Sequence, residues 1–325
     1  MSGNREMVAP LLEISRLSVV LDKRRQRFKA VDDLSFRVFP GEILGLVGES
    51  GAGKSMTGSA ILGLIEPPLS ISSGEITFDG VRIDQDASSI RGSKISMIFQ
   101  DPLVSLNPLR KIGDQLVEVI RTHINISKAE AFGRAKTLLA EVGIDPGRIN
   151  AYPHTFSGGM RQRVVIALAL APEPALIIAD EPTTALDVSV QAQILDLLKR
   201  LCRERGTSII LITHDMGVIA ETTDRVAVLY AGRLAEIGKT SAVLKNPRHP
   251  YTKGLVAATP RIDANSFEKR LFQIPGAMPD LENIPKGCAF HPRCDFASTQ
   301  CQKQQPPLFE DRSACWLSNE GSETS

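Results

Sequence analysis

The sequence predicts an α/β fold with a mostly parallel sheet, preceded by antiparallel strands. Three observations carry that reading. An apolar run, residues 43–47, enters the turn Gly48-Glu49-Ser50-Gly51-Ala52-Gly53-Lys54-Ser55 and continues into a helix-compatible stretch, 56–64. Strand, Gly-rich turn and helix are the context of a phosphate-binding loop. Two further continuous apolar runs, 175–179 and 208–213, have the composition of strands buried on both faces. Stretches of helical spacing alternate with these strands, the pattern of a parallel sheet with crossover helices.

In chain order, residues 11–21 and 34–39 read as partly alternating strands. Between them the basic run 23–29 reads as a solvated hairpin loop; in a second reading it carries Phe28, which would lie under an adenine ring. The loop comes next. Gly48, Gly51 and Gly53 have no Cβ, so the backbone can turn tightly and aim N–H groups at an anion. The following helix adds its positive end, Lys54 a cation for the β- and γ-phosphates, and Ser55 a hydroxyl for Mg²⁺. Glu49, Ser50, Ala52 and Met56 complete the stretch that would touch a nucleotide.

Residues 74–78 form a short strand ending in the turn Asp79-Gly80, and 95–99 a strand delivering Gln100. From Ile112 to Val142 apolar residues recur at helical spacing, which gives a helical subdomain inserted at about 101–172. Ser157 reads as the N-cap of a helix running to Ala171, stopped by Pro172 and Pro174. The strand 175–179 ends in Asp180-Glu181. A helix over 190–201 and the strand 208–213, followed by His214, come next; 226–230 and 233–237 are the last strands. Ligands of such sheets bind at the carboxyl ends of strands, where Lys54, Asp180, Glu181 and His214 all fall. After Ile237 prolines crowd the sequence, giving a loop-rich appendage over 241–325 with a disordered end, 318–325.

Composition bounds the rest. The 325 residues suffice for one large domain and a smaller one, here 1–240 and 241–325. A net charge of +1 gives no global argument for nucleic acid. The longest strongly apolar run, 164–171, is far short of a membrane span, and residues 1–10 hold no secretory signal. A cytosolic protein is expected, touching a membrane only through a partner.

Phe156-Ser157-Gly158-Gly159-Met160-Arg161-Gln162-Arg163 resembles the signature sequence of ABC-type ATPases. Over residues 20–240 the resemblance takes in the phosphate loop, Gln100, Asp180-Glu181, Thr184–Asp187 and His214, in one order. The stretches 100–108 and 246–252 look like the ATPase subunits of dipeptide, oligopeptide and nickel importers, and 274–315 looks like the C-terminal extension of that subfamily. In one place the sequence departs: the usual adenine-stacking aromatic would lie near Leu21, and Phe28 is the substitute at hand.

The resemblance implies an ABC-type P-loop NTPase that binds ATP and Mg²⁺. Asp180 would hold Mg²⁺ through water, with Ser55 and Gln100 beside it. Glu181 would polarise the attacking water, and His214 would bond the γ-phosphate. Ser157, Gly158 and Gly159 would reach the γ-phosphate held by a partner's loop, so that two ATPs lie between two ATPase subunits. The partners implied are a second, homologous ATPase subunit, two transmembrane permease subunits and, indirectly, an extracytoplasmic binding protein, with the chain peripheral on the cytoplasmic face of the inner membrane. Peptides are the implied cargo, nickel or haem the alternatives. A non-transport ABC ATPase of DNA repair or translation is the other class; it would carry long coiled coils or two cassettes, and neither is visible here.

Four of five cysteines, Cys288, Cys294, Cys301 and Cys315, fall in the last 40 residues, spaced C-x5-C-x6-C-x13-C. Cys202, on a predicted helix, reads as a core residue. A reducing compartment disfavours disulfides. Four thiolates on a loop-rich segment suit an iron–sulfur cluster, and the resemblance points to [4Fe-4S] in some members. Zn²⁺ is the alternative, though no short C-x₂₋₄-C pair is present, and unrelated thiols are the third reading.

Overall fold

A computed structural model describes residues 8–23, 26–184, 186–259, 272–310 and 312–318. Among the described residues the chain forms ten strands: β1 (Leu12–Lys23), β2 (Gln26–Val38), β3 (Ile43–Val47), β4 (Leu69–Phe78), β5 (Val81–Arg82), β6 (Ile95–Ile98), β7 (Leu176–Asp180), β8 (Ser208–Thr213), β9 (Arg225–Tyr230) and β10 (Arg233–Lys239). Ten α-helices are interspersed: α1 (Lys54–Ile61), α2 (Pro102–Ser105), α3 (Ile112–His123), α4 (Lys128–Glu141), α5 (Gly158–Leu170), α6 (Val188–Arg205), α7 (Met216–Thr222), α8 (Thr240–Lys245), α9 (Pro250–Ala258) and α10 (Thr299–Lys303). They divide into two compact units, residues 1–85 with 213–325, and residues 86–212.

In the first unit β1 pairs antiparallel with both β2 and β4, and β5 completes the order β2-β1-β4-β5. β3 runs parallel to β9, and β10 lies antiparallel on the other side of β9. All five residues of β3 are buried, as its unbroken apolar composition requires. In the second unit β6, β7 and β8 are parallel neighbours in that order, and β7 and β8 are buried throughout. The helical spacing over 112–142 resolves into α3 and α4. The break is fixed by Ser127, whose hydroxyl accepts the Glu130 N–H at 3.2 Å while Glu130 accepts the Ser127 N–H at 2.8 Å. Such a reciprocal cap satisfies two helix-end donors and starts a new helix there. Cys202, 3% exposed on α6, is a core residue as expected.

Two expectations need correction. The basic run 23–29 is not a loop along its length: Gln26 to Lys29 belong to β2 and continue its ladder with β1. Phe28 stands directly across from Leu21 in that ladder, so both positions considered for the adenine ring lie side by side on one hairpin. The Pro-dense stretch also carries regular elements and core. Pro250 opens α9 at a first-turn position, where a missing N–H costs nothing. Tyr251, Ala289 and Phe290 are buried in one cluster with Val47, Val228 and Tyr230. Proline density marks where chain direction changes; burial of the aromatics decides whether the segment packs. Of the tail expected to be disordered, Ser318 closes a short 3₁₀ turn and 319–325 lie outside the described residues.

The first unit is tied together around Glu236 of β10, whose side chain is fully buried. Its oxygens accept the Arg248 N–H, each at 3.0 Å, and the His249 N–H at 2.9 Å. His249 in turn accepts the Tyr251 N–H at Nδ1, at 3.0 Å. Burial pushes the His249 pKa down to about 4, so its ring is neutral near pH 7. The outer edge of β10 is closed by the end of the described chain. Ile237 donates to the Arg312 carbonyl at 2.7 Å, and Ala314 donates to the Ala235 carbonyl at 2.8 Å.

Candidate nucleotide site

The phosphate loop joins β3 to α1 in the first unit. A Cβ on Gly48 would come within 2.3 Å of the Leu229 carbonyl oxygen, and one on Gly53 within 3.0 Å of the Ala30 carbonyl. Gly53 also takes φ +96° as the N-cap of α1, a conformation a side chain resists. These glycines let the loop lie flush against its surroundings. The turn between β9 and β10 adds the Gly232 N–H, which donates to the Ala52 carbonyl at 3.0 Å. Lys54 is 6% exposed, and its ammonium donates to the carbonyls of Gly48 at 2.8 Å and Glu49 at 3.0 Å. A cation held inside a Gly-rich loop at a helix start is fitted to a polyphosphate. Ser55, the second residue of α1, and Asp180, 8% exposed at the end of β7, are oxygen donors of the kind Mg²⁺ takes. When bound, Mg²⁺ neutralises charge on the transferring phosphoryl group.

Glu49 has partners that the sequence does not announce. Its N–H donates to the Tyr251 hydroxyl at 2.9 Å, and its carboxylate accepts from Arg293 Nη1 at 3.1 and 3.2 Å. Burial raises the Tyr251 pKa, so the phenol stays neutral. Both residues lie in stretches that resemble the importer subfamily, 246–252 and 274–315, but nothing in those stretches ties them to the phosphate loop. A search for the partner of a loop carboxylate would have been the only signal.

The carboxylate pair is in the second unit. Glu181 follows β7 with φ +45°, a left-handed conformation unusual for a residue with a side chain. Its N–H is held by the Ile212 carbonyl at 2.9 Å. The Gln100 side-chain amide and the Thr184 hydroxyl both donate to Glu181 Oε2, each at 3.0 Å. Gln100, 81 residues away in the chain, thus meets Glu181. A carboxylate oriented by two donors can polarise a water and accept its proton. His214 directly follows β8. The next residue, Asp215, is what caps α7, accepting the Gly217 N–H at 2.7 Å, so His214 is not spent as a cap.

Ser157 caps α5 through the Met160 N–H at 3.4 Å. Ser157 and Gly158 are exposed at the helix start. A Cβ on Gly159 would meet Val190 Cγ1 at 2.5 Å. Close packing of α5 on α6 therefore already demands glycine there.

The four C-terminal cysteines share one neighbourhood. Cys288 donates its N–H to the Cys301 carbonyl at 2.8 Å. Burial pushes the Cys288 thiol up to about 11 and raises Cys294 and Cys315, with Cys301 raising each further. The donors are right in kind for a thiolate-bound metal. Their arrangement is not that of a ligand set: among the described residues no group of three or more His, Cys, Asp or Glu is placed to hold a metal ion. The expected metal centre therefore has no counterpart in the geometry. No helix among the described residues is long and apolar enough to cross a membrane.

Residues 31–184 match the family model described as ABC transporter, and residues 235–301 match that of the oligopeptide/dipeptide transporter C-terminal region. The chain is 49% identical over 310 residues to the oligopeptide transport ATP-binding protein OppD of Bacillus subtilis, covering 93% of this chain and 86% of the relative. It is 47% identical over 325 residues to the dipeptide transport ATP-binding protein DppD of the same organism, covering 96% of each. Among solved structures, an ATP-binding cassette in a dimeric post-hydrolysis state with ADP and Pi superposes with TM-score 0.63 at 28% identity, covering 70% of this chain and 98% of that one. With these matches over nearly the whole chain, the chain belongs to the ABC transporter family, among the ATP-binding subunits of its oligopeptide and dipeptide branch.

Proposed function

We infer that this chain hydrolyses ATP to energise the import of di- and oligopeptides. The observation that carries the peptide reading is the match of residues 235–301 to the oligopeptide/dipeptide C-terminal region; nickel and haem are the alternative cargoes. The ATPase cassette spans 1–240, with a helical subdomain at about 101–172, and the extension spans 241–325. Gly48 to Met56 cradle the phosphates, and Phe28 flanks the base. Ser55, Gln100 and Asp180 serve Mg²⁺, while Glu181 and His214 act on the attacking water. Ser157, Gly158 and Gly159 complete the site of a second ATPase subunit. That subunit, two permease subunits and the inner membrane's cytoplasmic face make up the setting.

In this reading the isolated chain is a weak ATPase, because its signature helix serves a partner's loop. Adding the second ATPase subunit and both permease subunits should raise the rate per site at least tenfold. Compare steady-state phosphate release by the chain alone and by the assembly, with and without a peptide-loaded binding protein. Equal rates would reject the shared site.

The four cysteines are proposed to take one [4Fe-4S] cluster with a structural or redox-sensing role; Zn²⁺ is the alternative. What supports this is their number and mutual proximity. Since the arrangement described is not a ligand set, the extension must rearrange to bind the metal, and the raised pKa values mean that the metal must displace thiol protons. Protein purified without oxygen should carry about four irons and four sulfides per chain, with a broad shoulder near 400 nm on the order expected of cubane ligation. One zinc without sulfide would replace the cluster. No metal with a folded extension would leave four ordinary thiols.

A further inference from the structure

Glu49 is an anion set inside a loop built to hold a polyphosphate. An uncompensated carboxylate one residue after Gly48 would repel the phosphates at short range and low dielectric. Its compensation comes from far along the chain. Arg293 is 6% exposed at its side chain, Glu49 30%. The same Nη1 that meets both Glu49 oxygens also reaches the Tyr230 hydroxyl at 3.3 Å, and Nε donates to the Pro275 carbonyl at 2.8 Å. The guanidinium lies near the faces of the Tyr230 and Phe290 rings, 5.8 and 5.9 Å from their centroids. Its position is thus set by the Pro275 carbonyl and Phe290 of the extension and by Tyr230 of β9, besides Glu49. The Glu49 N–H, meanwhile, is taken by Tyr251.

We propose that Arg293 is a positioning residue for the phosphate-binding loop: it neutralises Glu49 and fixes it against Tyr230 and Tyr251, so that the loop accepts the charge of the nucleotide. This rests on the reading of the loop as the ATP site. Through Arg293 the extension is part of the nucleotide-binding apparatus.

The test is a double-mutant cycle on the full-length chain, read as the Kd for Mg·ATP by calorimetry. Arg293→Ala should weaken binding tenfold or more, and Arg293→Lys, which keeps the cation, should recover part of that loss. With Glu49→Gln in place there is no carboxylate to compensate, so adding Arg293→Ala should then cost less than threefold. In the assembled importer Arg293→Ala should raise KM for ATP while kcat stays within twofold. Arg293→Gln serves the same comparison if the alanine variant does not fold. An Arg293→Ala protein that binds ATP within twofold of the parent overturns the proposal. So does a loss carried unchanged into the Glu49→Gln background, since that marks a merely structural role. Failure of the parent chain to bind ATP would instead overturn the ATPase reading itself.

Discussion

Glu181→Gln should leave ATP binding intact and cut steady-state hydrolysis by the assembled importer about 100-fold or more, the scale of losing a general base. Glutamine keeps the shape that Gln100 and Thr184 grip at 3.0 Å, and it removes the ability to take a proton. The left-handed backbone at φ +45° aims this side chain, and the substitution leaves that backbone undisturbed. Binding and chemistry should therefore separate cleanly, with ATP accumulating in a closed dimer. Phosphate release and retention of labelled ATP read the two quantities. Hydrolysis within threefold of the parent would remove Glu181 from the role of base.

Glu236→Ala should destabilise the first unit by about 3 kcal/mol or more, since removing a buried charged acceptor strands its donors. The carboxylate holds the N–H groups of Arg248 and His249 where no water reaches. Alanine would leave these donors unpaired and open a void. Chemical denaturation followed by Trp316 fluorescence checks this, since the sole tryptophan of the chain lies in the extension, close to Phe309. An unchanged transition midpoint would mean that β10 and the extension hold together without Glu236. Because Glu236 grips His249, which holds Tyr251, which in turn holds Glu49 of the phosphate loop, weaker ATP binding should accompany the loss of stability.

Much of the fold was legible because it rests on local chemistry. The continuous apolar runs that became β3, β7 and β8 admit little but buried parallel strands. The phosphate loop declares itself by glycines needed at fixed offsets. Ser157 marks a helix start by its hydroxyl. What escaped the sequence reading depends on distant partners. Residues 23–29 looked like a loop because the run is rich in charge, and pairing, unlike burial, leaves no apolar signature. The extension looked loop-rich because prolines crowd it, while a few aromatics supply its packing. Tyr251 and Arg293 were invisible as site residues because neither spacing nor composition links them to Glu49.

The strand order puts β10 at a sheet edge, and the residues that close that edge, Arg312 and Ala314, are among the last of the chain. Synthesis runs from the other end. A nascent chain emerging from the ribosome finishes β10 some seventy residues, on the order of several seconds of translation, before the segment that seals it. Through that interval the edge offers unpaired N–H and C=O groups to any neighbouring strand. Sealing of this sheet therefore waits on residues 312–314, and a message cut short before them yields a cassette with its phosphate loop already made and its sheet still open.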